Sequence, residues 1–358
     1  MSERPETIDG ETAGAGSSAS PLVSVIVTFY NQASFVRPTL SSVLDQDYSP
    51  MEVIVVDDGS TDDTPGACAP FVGRVRYVRR RNGGPCAARN EGLRHARGSL
   101  VAFLDGDDLW GAGKITAQVA TALRWPEAGM IVVNGEMFSD DAMLRPSLFG
   151  SWITSQFEDG CDAAMVTDCH EPFVRACLVT TPSQVMVRRD VFASIGMWKE
   201  SIWLTGDHEL YLRISMRYPV AFIGRRLMRY RYAESSLSGP QAFRTFRWGL
   251  ERVAMLRWHR DEIAGHRCEP AARQVGRTVD ELTRDAYHRS ATSGRRWAAA
   301  FLCRLAWQSR RPDRVLPYLV ALGVPEGLQR LAGRTVRARF SAPSTVSGTG
   351  DSEGTGLP

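Results

Sequence analysis

The sequence predicts an α/β fold in which a mostly parallel β-sheet is covered by helices on both faces, followed by a helical C-terminal region. Two observations lead to this prediction. Short, nearly continuous apolar runs alternate with segments of helical periodicity over the first 125 residues. Strands that are buried on both faces of a parallel sheet have this composition. From residue 243 to residue 339 the pattern is amphipathic, helical and rich in arginine, and it favours no strand.

Four apolar runs are predicted to form the parallel strands, and two of them end in acidic residues. The second run ends at Asp57 and Asp58, and the fourth ends in the stretch FLDGDD, which places Asp105, Asp107 and Asp108 within four positions. Ligands of open α/β sheets bind beyond the carboxyl ends of the strands. We therefore expect both acidic groups to face one crevice. The four predicted strands span residues 22–28, 51–56, 75–78 and 100–104.

Helices are predicted between and after these strands. Apolar residues recur at helical spacing from residue 36 to residue 44, and the segment 85–97 begins with Pro85 and is followed by Gly98, the usual asymmetry of helix ends. Residues 139–180 give no clear pattern. The later predicted elements are helices at 115–125, 189–195 and 208–217 and strands at 130–134 and 184–187.

Charge and composition suggest a large domain with an appendage. Of the 358 residues 43% are hydrophobic; residues 1–239 carry 23 Lys and Arg against 29 Asp and Glu, and residues 240–358 carry 20 against 11. We expect a disordered lead at 1–20, the sheet domain at 21–239, a basic helical region at 240–340 and a disordered tail at 341–358.

The location expected from the sequence is the cytoplasm. No stretch reaches 18 apolar residues, which argues against a membrane-spanning helix. The seven cysteines form no C-x-x-C pair, so neither a disulfide framework nor a zinc site is indicated. The basic region could dock on anionic lipid at the cytoplasmic face, although a solvated helical face is the default explanation of such charges. Without a nucleic-acid-binding motif, no nucleic-acid partner is expected.

The FLDGDD stretch raises the question of what compensates its charges. Two carboxylates about 6 Å apart repel by roughly 3 kcal/mol at an effective dielectric near 20. In an extended chain Asp105 and Asp107 point the same way, which suits Mg²⁺ or Mn²⁺ held by one or two carboxylates and by substrate phosphates. A loop or cap function is the alternative. The sequence contains neither a dinucleotide-binding G-x-G-x-x-G after a strand nor a P-loop.

Several stretches together resemble the family 2 glycosyltransferases over roughly residues 22–238. They include VSVIVTFYNQ, EVIVVDDGSTDDT, NGGPCAARNEGL, GSLVAFLDGDDLW and TGDHELYLRI, in the order of the family. The resemblance implies the GT-A fold, a Rossmann-like α/β domain. It also implies an inverting transfer of sugar from a nucleoside diphosphate sugar, with a divalent cation, Mn²⁺ or Mg²⁺, as cofactor.

The resemblance assigns the nucleotide-sugar site to the strand ends. Thr28 and Tyr30 would lie against the base, Asp58 would hydrogen-bond it, and Arg89 matches a basic residue near the nucleoside diphosphate. Tyr30 could instead be a packed aromatic residue. In the second acidic group Asp105 would bind the ribose and Asp107 the metal, with Asp108 as support.

The resemblance also supplies a catalytic base. Asp207 occupies the family's base position and would take the proton of the acceptor hydroxyl; it could also cap the following helix. Ala233 stands where many family members have histidine, so no histidine ligand is assigned there.

The sequence therefore predicts a metal-dependent inverting glycosyltransferase. It would move one sugar, most simply from a UDP-linked donor, to a hydroxyl of a glycan, a lipid-linked acceptor or a small molecule. Two alternatives stay open: a catalytically degenerate scaffold that binds nucleotide sugars, and a nucleotidyltransferase.

Overall fold

A computed structural model describes residues 20–140 and 142–232, together with residues 252, 255, 256 and 259. These residues fall into two compact units. The first unit contains residues 20–167, Val179–Met197 and Tyr218–Arg231, and the second contains Asp168–Leu178, Trp198–Arg217 and the described residues from 232 onward. Residues 1–19 of the predicted lead at 1–20, most of the basic helical region and the tail lie outside the described residues. The predicted domain boundaries stay predictions.

The helices and strands follow the sequence closely over the first 130 residues. In chain order they are β1 (Val23–Phe29), α1 (Ala33–Leu44), β2 (Met51–Asp57), α2 (Thr64–Cys68), β3 (Arg76–Arg79), α3 (Pro85–His95), β4 (Leu100–Asp105), β5 (Leu109–Trp110), α4 (Lys114–Arg124), β6 (Met130–Ser139), β7 (Ala142–Arg145), α5 (Ser151–Thr154), β8 (Ala163–Val166), α6 (His170–Arg175), β9 (Val185–Arg188), α7 (Arg189–Ile195), α8 (Gly206–Ser215) and β10 (Val220–Arg231).

The sheet of the first unit has the strand order β3-β2-β1-β4-β9-β6-β10-β5, with β7 paired to β6 and β8 paired to β10. Strands β3, β2, β1 and β4 are parallel to one another, as predicted. Beyond β4 the sheet is mixed, because β9 runs antiparallel to both of its neighbours while β10 runs parallel to β6. The predicted α/β class is confirmed, and its parallel part is the half that carries the acidic strand ends.

Apolar side chains on both faces hold the parallel strands in place. Val25, Ile26 and Val27 of β1 are fully buried, and Phe103 of β4 meets Phe192 of α7 edge to face at 6.2 Å. Burial of each such side chain contributes about 1.5–3 kcal/mol relative to exposure.

The strand register brings the polar ends together. In the parallel pairing Thr28 of β1 lies opposite Val56 of β2 and Asp105 of β4, and Phe29 lies opposite Asp57. The backbone N–H of Asp58 donates to the carbonyl of Phe29 at 2.9 Å. The carboxyl ends of β1, β2 and β4 therefore meet at one edge of the sheet.

The sequence pattern predicts no element over β10, which is the longest strand described. Its apolar first third is interrupted at Gly224-Arg225-Arg226, and its pairing with β6 shifts register on both sides of Arg226. Such a bulge breaks the two-residue alternation by which a strand is detected. The unassigned region 139–180 contains short elements of four to six residues, β7, α5, β8 and α6.

The second unit packs α6 against α8. Phe173 and Tyr211 approach to 6.2 Å between ring centroids, and Glu209, fully buried, forms a two-pronged ion pair with Arg213 at 2.8 and 2.7 Å. The buried His208 bonds through Nε2 to the carbonyl of Phe173 at 2.6 Å, and burial lowers the pKa of His208 to about 3. Arg252 donates to the carbonyls of Val174 and Arg175 at the end of α6.

No helix within the described residues is long and apolar enough to cross a membrane.

Candidate functional site

The loops after β1 and β2 are tied together by side-chain hydrogen bonds. The backbone N–H of Asn31 donates to Ser60 Oγ at 3.0 Å, and Asn31 Oδ1 accepts from the N–H of Thr61 at 2.7 Å. Asn31 has a φ of +53°, a conformation that asparagine tolerates better than most residues. Tyr30, 48% exposed, therefore begins a loop that is held by these bonds, and Thr28, partly exposed, lies just before it in β1.

The acidic pair at the end of β2 is saturated with partners from the protein. Asp57, fully buried, accepts from the N–H of Ser60 at 2.8 Å and from the hydroxyl of Tyr77 at 2.8 Å. Arg79 Nε lies 3.5 Å from Asp57 Oδ2. The first of these bonds closes the turn that follows β2.

Asp58 has three donors of its own. Arg80 Nη1 lies 2.6 Å from Oδ1, the N–H of Gly83 points at both oxygens at 3.1 and 3.2 Å, and the N–H of Gly84 lies 2.8 Å from Oδ2. Burial nevertheless raises the pKa of Asp58, because desolvation outweighs these bonds. Asp58 thus holds the loop before α3, with little acceptor capacity remaining out of about four lone-pair positions.

The acidic group at the end of β4 is partnered unevenly. Arg89 of α3 pairs with Asp105 at 2.6 Å, and the two side chains are 8% and 26% exposed. Asp108 is fully buried and is held by the hydroxyls of Ser183 at 2.5 Å and Thr181 at 3.1 Å and by the N–H of Arg231 at 2.9 Å. Asp105 is therefore paired with a guanidinium group, whereas Asp108 accepts hydrogen bonds from neutral donors.

Asp107 is the third member of the group and is partly exposed. Burial, and then the charge of Asp105, raises its pKa to about 6, while Arg231 and a hydrogen bond from Gln32 act in the opposite direction. Burial and both neighbouring carboxylates also raise the pKa of Asp108 well above its usual value. The site therefore holds more carboxylates than the protein's own cations compensate.

Arg231 lies at the end of β10, beside Asp107. Its Nε donates to the carbonyl of Asp107 at 2.9 Å, and its guanidinium lies over the rings of Phe35 at 4.7 Å and Phe138 at 4.4 Å. Within residues 20–140 and 142–232 its terminal nitrogens form no hydrogen bond. The two rings thus hold the guanidinium beside the backbone of Asp107.

The donor set suits a hard divalent cation. Among the described residues no group of three or more metal-ligating side chains comes together, so an all-protein cage of the calcium or zinc type is not formed there. A partly exposed carboxylate whose pKa is raised fits the other arrangement, in which Mg²⁺ or Mn²⁺ takes one or two carboxylates and the substrate phosphates. Asp107 is the residue best placed for this.

The predicted catalytic base belongs to the second unit. Asp207 lies in the first turn of α8, where negative charge favours the helix. It is partly exposed, and its Oδ1 accepts from the N–H of His208 at 2.8 Å. Because the N-cap is Thr205, Asp207 lies inside the helix rather than at the capping position.

The first unit thus contains every predicted nucleotide-sugar residue and the predicted metal ligand. Their roles stay predictions. The sequence analysis assigned no role to Thr181, Ser183, Gln32 or Arg231, because each lies far along the chain from the acidic residues that it contacts. Gln32 lies within the stretch VSVIVTFYNQ, and Arg231 lies at the end of an arginine-rich strand.

Residues 24–173 match the family model described as glycosyl transferase family 2. Similar curated proteins include an uncharacterized glycosyltransferase of Rickettsia typhi, 30% identical over 56% of this chain and 61% of its own length. Another, from Rickettsia conorii, is 40% identical over 58% of this chain and 32% of its own length. The chain therefore spans about one third to three fifths of the length of these relatives.

A further similarity is shorter, and a solved structure shares the fold. The putative teichuronic acid biosynthesis glycosyltransferase TuaG of Bacillus subtilis is 42% identical over 28% of this chain and 41% of its own length. The crystal structure of S. aureus TarS 1–349 in complex with UDP-GlcNAc superposes with a TM-score of 0.55 at 17% identity, over 89% of this chain and 91% of that chain. At this identity the superposition shows the GT-A fold alone.

Proposed function

We propose that this protein is a metal-dependent inverting glycosyltransferase that moves one sugar from a nucleoside diphosphate sugar to an acceptor hydroxyl. The observation that carries the proposal is the acidic group at the carboxyl end of β4. It contains three carboxylates with one paired arginine, and Asp107, partly exposed, has a pKa raised to about 6. The match of residues 24–173 to the family model described as glycosyl transferase family 2 supports the same reaction class.

The nucleotide would be bound at the ends of β1, β2 and β4. Tyr30 offers an exposed aromatic ring for the base, and the partly exposed Thr28 lies one strand away from Asp105. Asp105 would accept hydrogen bonds from the ribose hydroxyls, and its ion pair with Arg89 would weaken when the nucleotide binds. The oxygens of Asp58 already have three donors. Asp58 would therefore contribute to base binding mainly by holding the loop before α3 in place.

The diphosphate would lie beside Asp107 and Arg231. Asp107 would hold the divalent cation, and Arg231 would donate through its terminal nitrogens to the phosphate oxygens. The cation, when bound, stabilises the negative charge that develops on the departing diphosphate. Arg89, which is paired with Asp105, would limit the repulsion between Asp105 and Asp107.

Asp207 would act as general base. Its carboxylate would accept the proton of the acceptor hydroxyl while that oxygen attacks the anomeric carbon and the bond to the diphosphate breaks. Its place in the first turn of α8 stabilises the ionised form, which a base requires.

The donor proposed is UDP-linked. This choice rests on the TarS structures, whose crystals are described as complexes with UDP and with UDP-GlcNAc. The acceptor would be the hydroxyl of a glycan, a lipid-linked precursor or a small molecule. The basic region 240–340 would support contact with an anionic membrane surface, and co-sedimentation of the whole protein with anionic but not neutral vesicles tests this part separately.

The first experiment is titration calorimetry of the whole protein with UDP, with Mn²⁺ or with EDTA. We expect tighter binding with Mn²⁺, because the cation links Asp107 to the phosphates. Incubation with a panel of UDP-sugars should then release UDP by slow donor hydrolysis. Binding without hydrolysis or transfer for every donor would support the scaffold alternative, and no binding of any nucleoside diphosphate would end the proposal.

A further inference from the structure

Thr181 and Ser183 lie directly behind the acidic group at the end of β4. They belong to the first unit and are 2% and 0% exposed. A short 3-10 turn over Pro182–Gln184 presents both hydroxyls, and Thr181 caps this turn by accepting from the N–H of Ser183. The turn is separated from the acidic group by more than 70 residues in sequence, so only the fold brings them together.

One hydroxyl bridges two carboxylates. Thr181 Oγ1 lies 3.1 Å from Asp105 Oδ2 and 3.1 Å from Asp108 Oδ2. A hydroxyl carries a single proton and can therefore donate to one of the two oxygens at a time. Ser183 completes the arrangement, since its Oγ donates to Asp108 at 2.5 Å and accepts from the backbone N–H of Asp105 at 3.0 Å.

The turn between these two carboxylates is fixed at other points as well. The hydroxyl of Thr39 lies 3.0 Å from the carbonyl of Gly106 and 3.1 Å from that of Asp108. Arg231 holds the carbonyl of Asp107. The backbone on both sides of Asp107 is thus immobilised, while its own carboxylate stays partly exposed. Asp107 accepts a hydrogen bond from Gln32, and it lies in a turn whose two ends, Asp105 and Asp108, are anchored by Thr181 and Ser183.

We propose that Thr181 is a positioning residue that sets the affinity of this site for a divalent cation bound to a nucleoside diphosphate. Its hydroxyl holds Asp105 and Asp108 in one geometry and so directs Asp107 toward the cation. Asp105 can then accept a hydrogen bond from a ligand in place of its ion pair with Arg89. This inference rests on the proposed function and adds a residue to which neither the sequence motifs nor the family resemblance assigns a role.

The test compares Thr181→Val with Thr181→Ser and with a neighbouring control. Thr180→Val makes the same change one residue earlier, at a partly exposed threonine whose hydroxyl forms no hydrogen bond within the described part of the chain. For each variant, circular dichroism establishes folding, and calorimetry measures UDP affinity with Mn²⁺ and with EDTA. The ratio of these two affinities is the readout, because loss of the cap at Thr181 alone would lower stability without changing the ratio.

We expect Thr181→Val to lower the ratio by about 10–100-fold, the usual effect of removing a group that orients a metal ligand. Thr181→Ser should recover most of the loss, and Thr180→Val should match the wild type. A folded Thr181→Val protein with the wild-type ratio would overturn the inference while leaving the proposed function intact. If Thr181→Val does not fold, Ser183→Ala decides by the same ratio. A wild-type protein without any Mn²⁺ effect would overturn both proposals.

Discussion

The acidic groups at the ends of β2 and β4 occupy equivalent places in the same parallel sheet and are treated differently by the fold. At β2, Asp57 and Asp58 receive two arginines, a tyrosine hydroxyl and three backbone N–H groups. At β4, three carboxylates share Arg89, two hydroxyls and Arg231, and Asp107 has a pKa raised to about 6.

This difference distinguishes a structural acidic pair from a binding one. Carboxylates that are saturated by the protein hold loops together and gain little from a ligand. A group that holds excess negative charge is stabilised when a cation arrives, and this makes it a binding site. The sheet edge therefore combines a rigid half at β2 with a receptive half at β4.

The largest expected effect concerns a carboxylate in neither group. Asp207→Asn should lower the rate of sugar transfer by about 10²–10⁴-fold, because the acceptor hydroxyl loses its base. UDP binding with Mn²⁺ should stay at the wild-type value. Steady-state kinetics and calorimetry on the same preparation check this, and a wild-type transfer rate would remove Asp207 from the mechanism.

Asp107→Asn tests the receptive half directly. The amide keeps the shape of the side chain but removes its charge, so we expect Mn²⁺-dependent UDP affinity to fall by about 100-fold or more, equivalent to the several kcal/mol that a metal contact supplies. Affinity in EDTA should change little. Equal losses with and without Mn²⁺ would show that Asp107 binds the nucleotide rather than the cation.

Asp58→Asn tests the rigid half, where the expected effect is on folding. The substitution leaves Arg80 and the N–H groups of Gly83 and Gly84 with a weaker acceptor, which should lower the free energy of unfolding by about 1–3 kcal/mol. Urea denaturation followed by circular dichroism measures this. A wild-type midpoint combined with lost UDP affinity would instead make Asp58 a ligand contact and abolish the contrast between the two halves.

Arg231→Gln separates the diphosphate contact from the cation. We expect UDP affinity to fall by about tenfold both with Mn²⁺ and in EDTA, the loss of one charge-assisted bond, while uridine affinity stays unchanged. Arg229→Gln is the matched control. Arg229 lies two residues before Arg231 on β10, and its side chain pairs with Glu136 of β6. A loss confined to the Mn²⁺ condition would assign Arg231 to positioning Asp107 alone.

The smallest predicted effect is on the pH dependence of stability. Because the folded state raises the pKa of Asp107 from its usual value near 4 to about 6, the unfolded chain releases its proton first as pH rises. The free energy of unfolding of the cation-free protein should therefore decrease as the pH rises from about 4 to about 6. Mn²⁺ with UDP should raise the melting temperature more at pH 7 than at pH 5, where Asp107 is largely protonated. Equal shifts at both pH values in a scan of thermal unfolding would contradict the raised pKa.

Local patterns carried the prediction of the parallel strands and of their acidic ends. The apolar runs of β1, β2 and β4 are recognisable because both faces of each strand are buried, so composition alone identifies them. β10 escaped detection since its bulge at Arg226 changes the alternation partway along the strand. The short elements between residues 139 and 180 are stabilised by their neighbours rather than by their own sequences, which leaves no periodic signal.

The sequence by itself determined where carboxylates would gather, because parallel strands end at the same edge and FLDGDD and VVDDGS stand at two such ends. Only the tertiary structure decided which of those carboxylates are compensated. Arg80, Arg89, Thr181, Ser183 and Arg231 reach the acidic groups from elsewhere in the chain. The charge of a residue is local, whereas its desolvation and its partners depend on the packing of distant segments, and these set its pKa and its availability to a ligand.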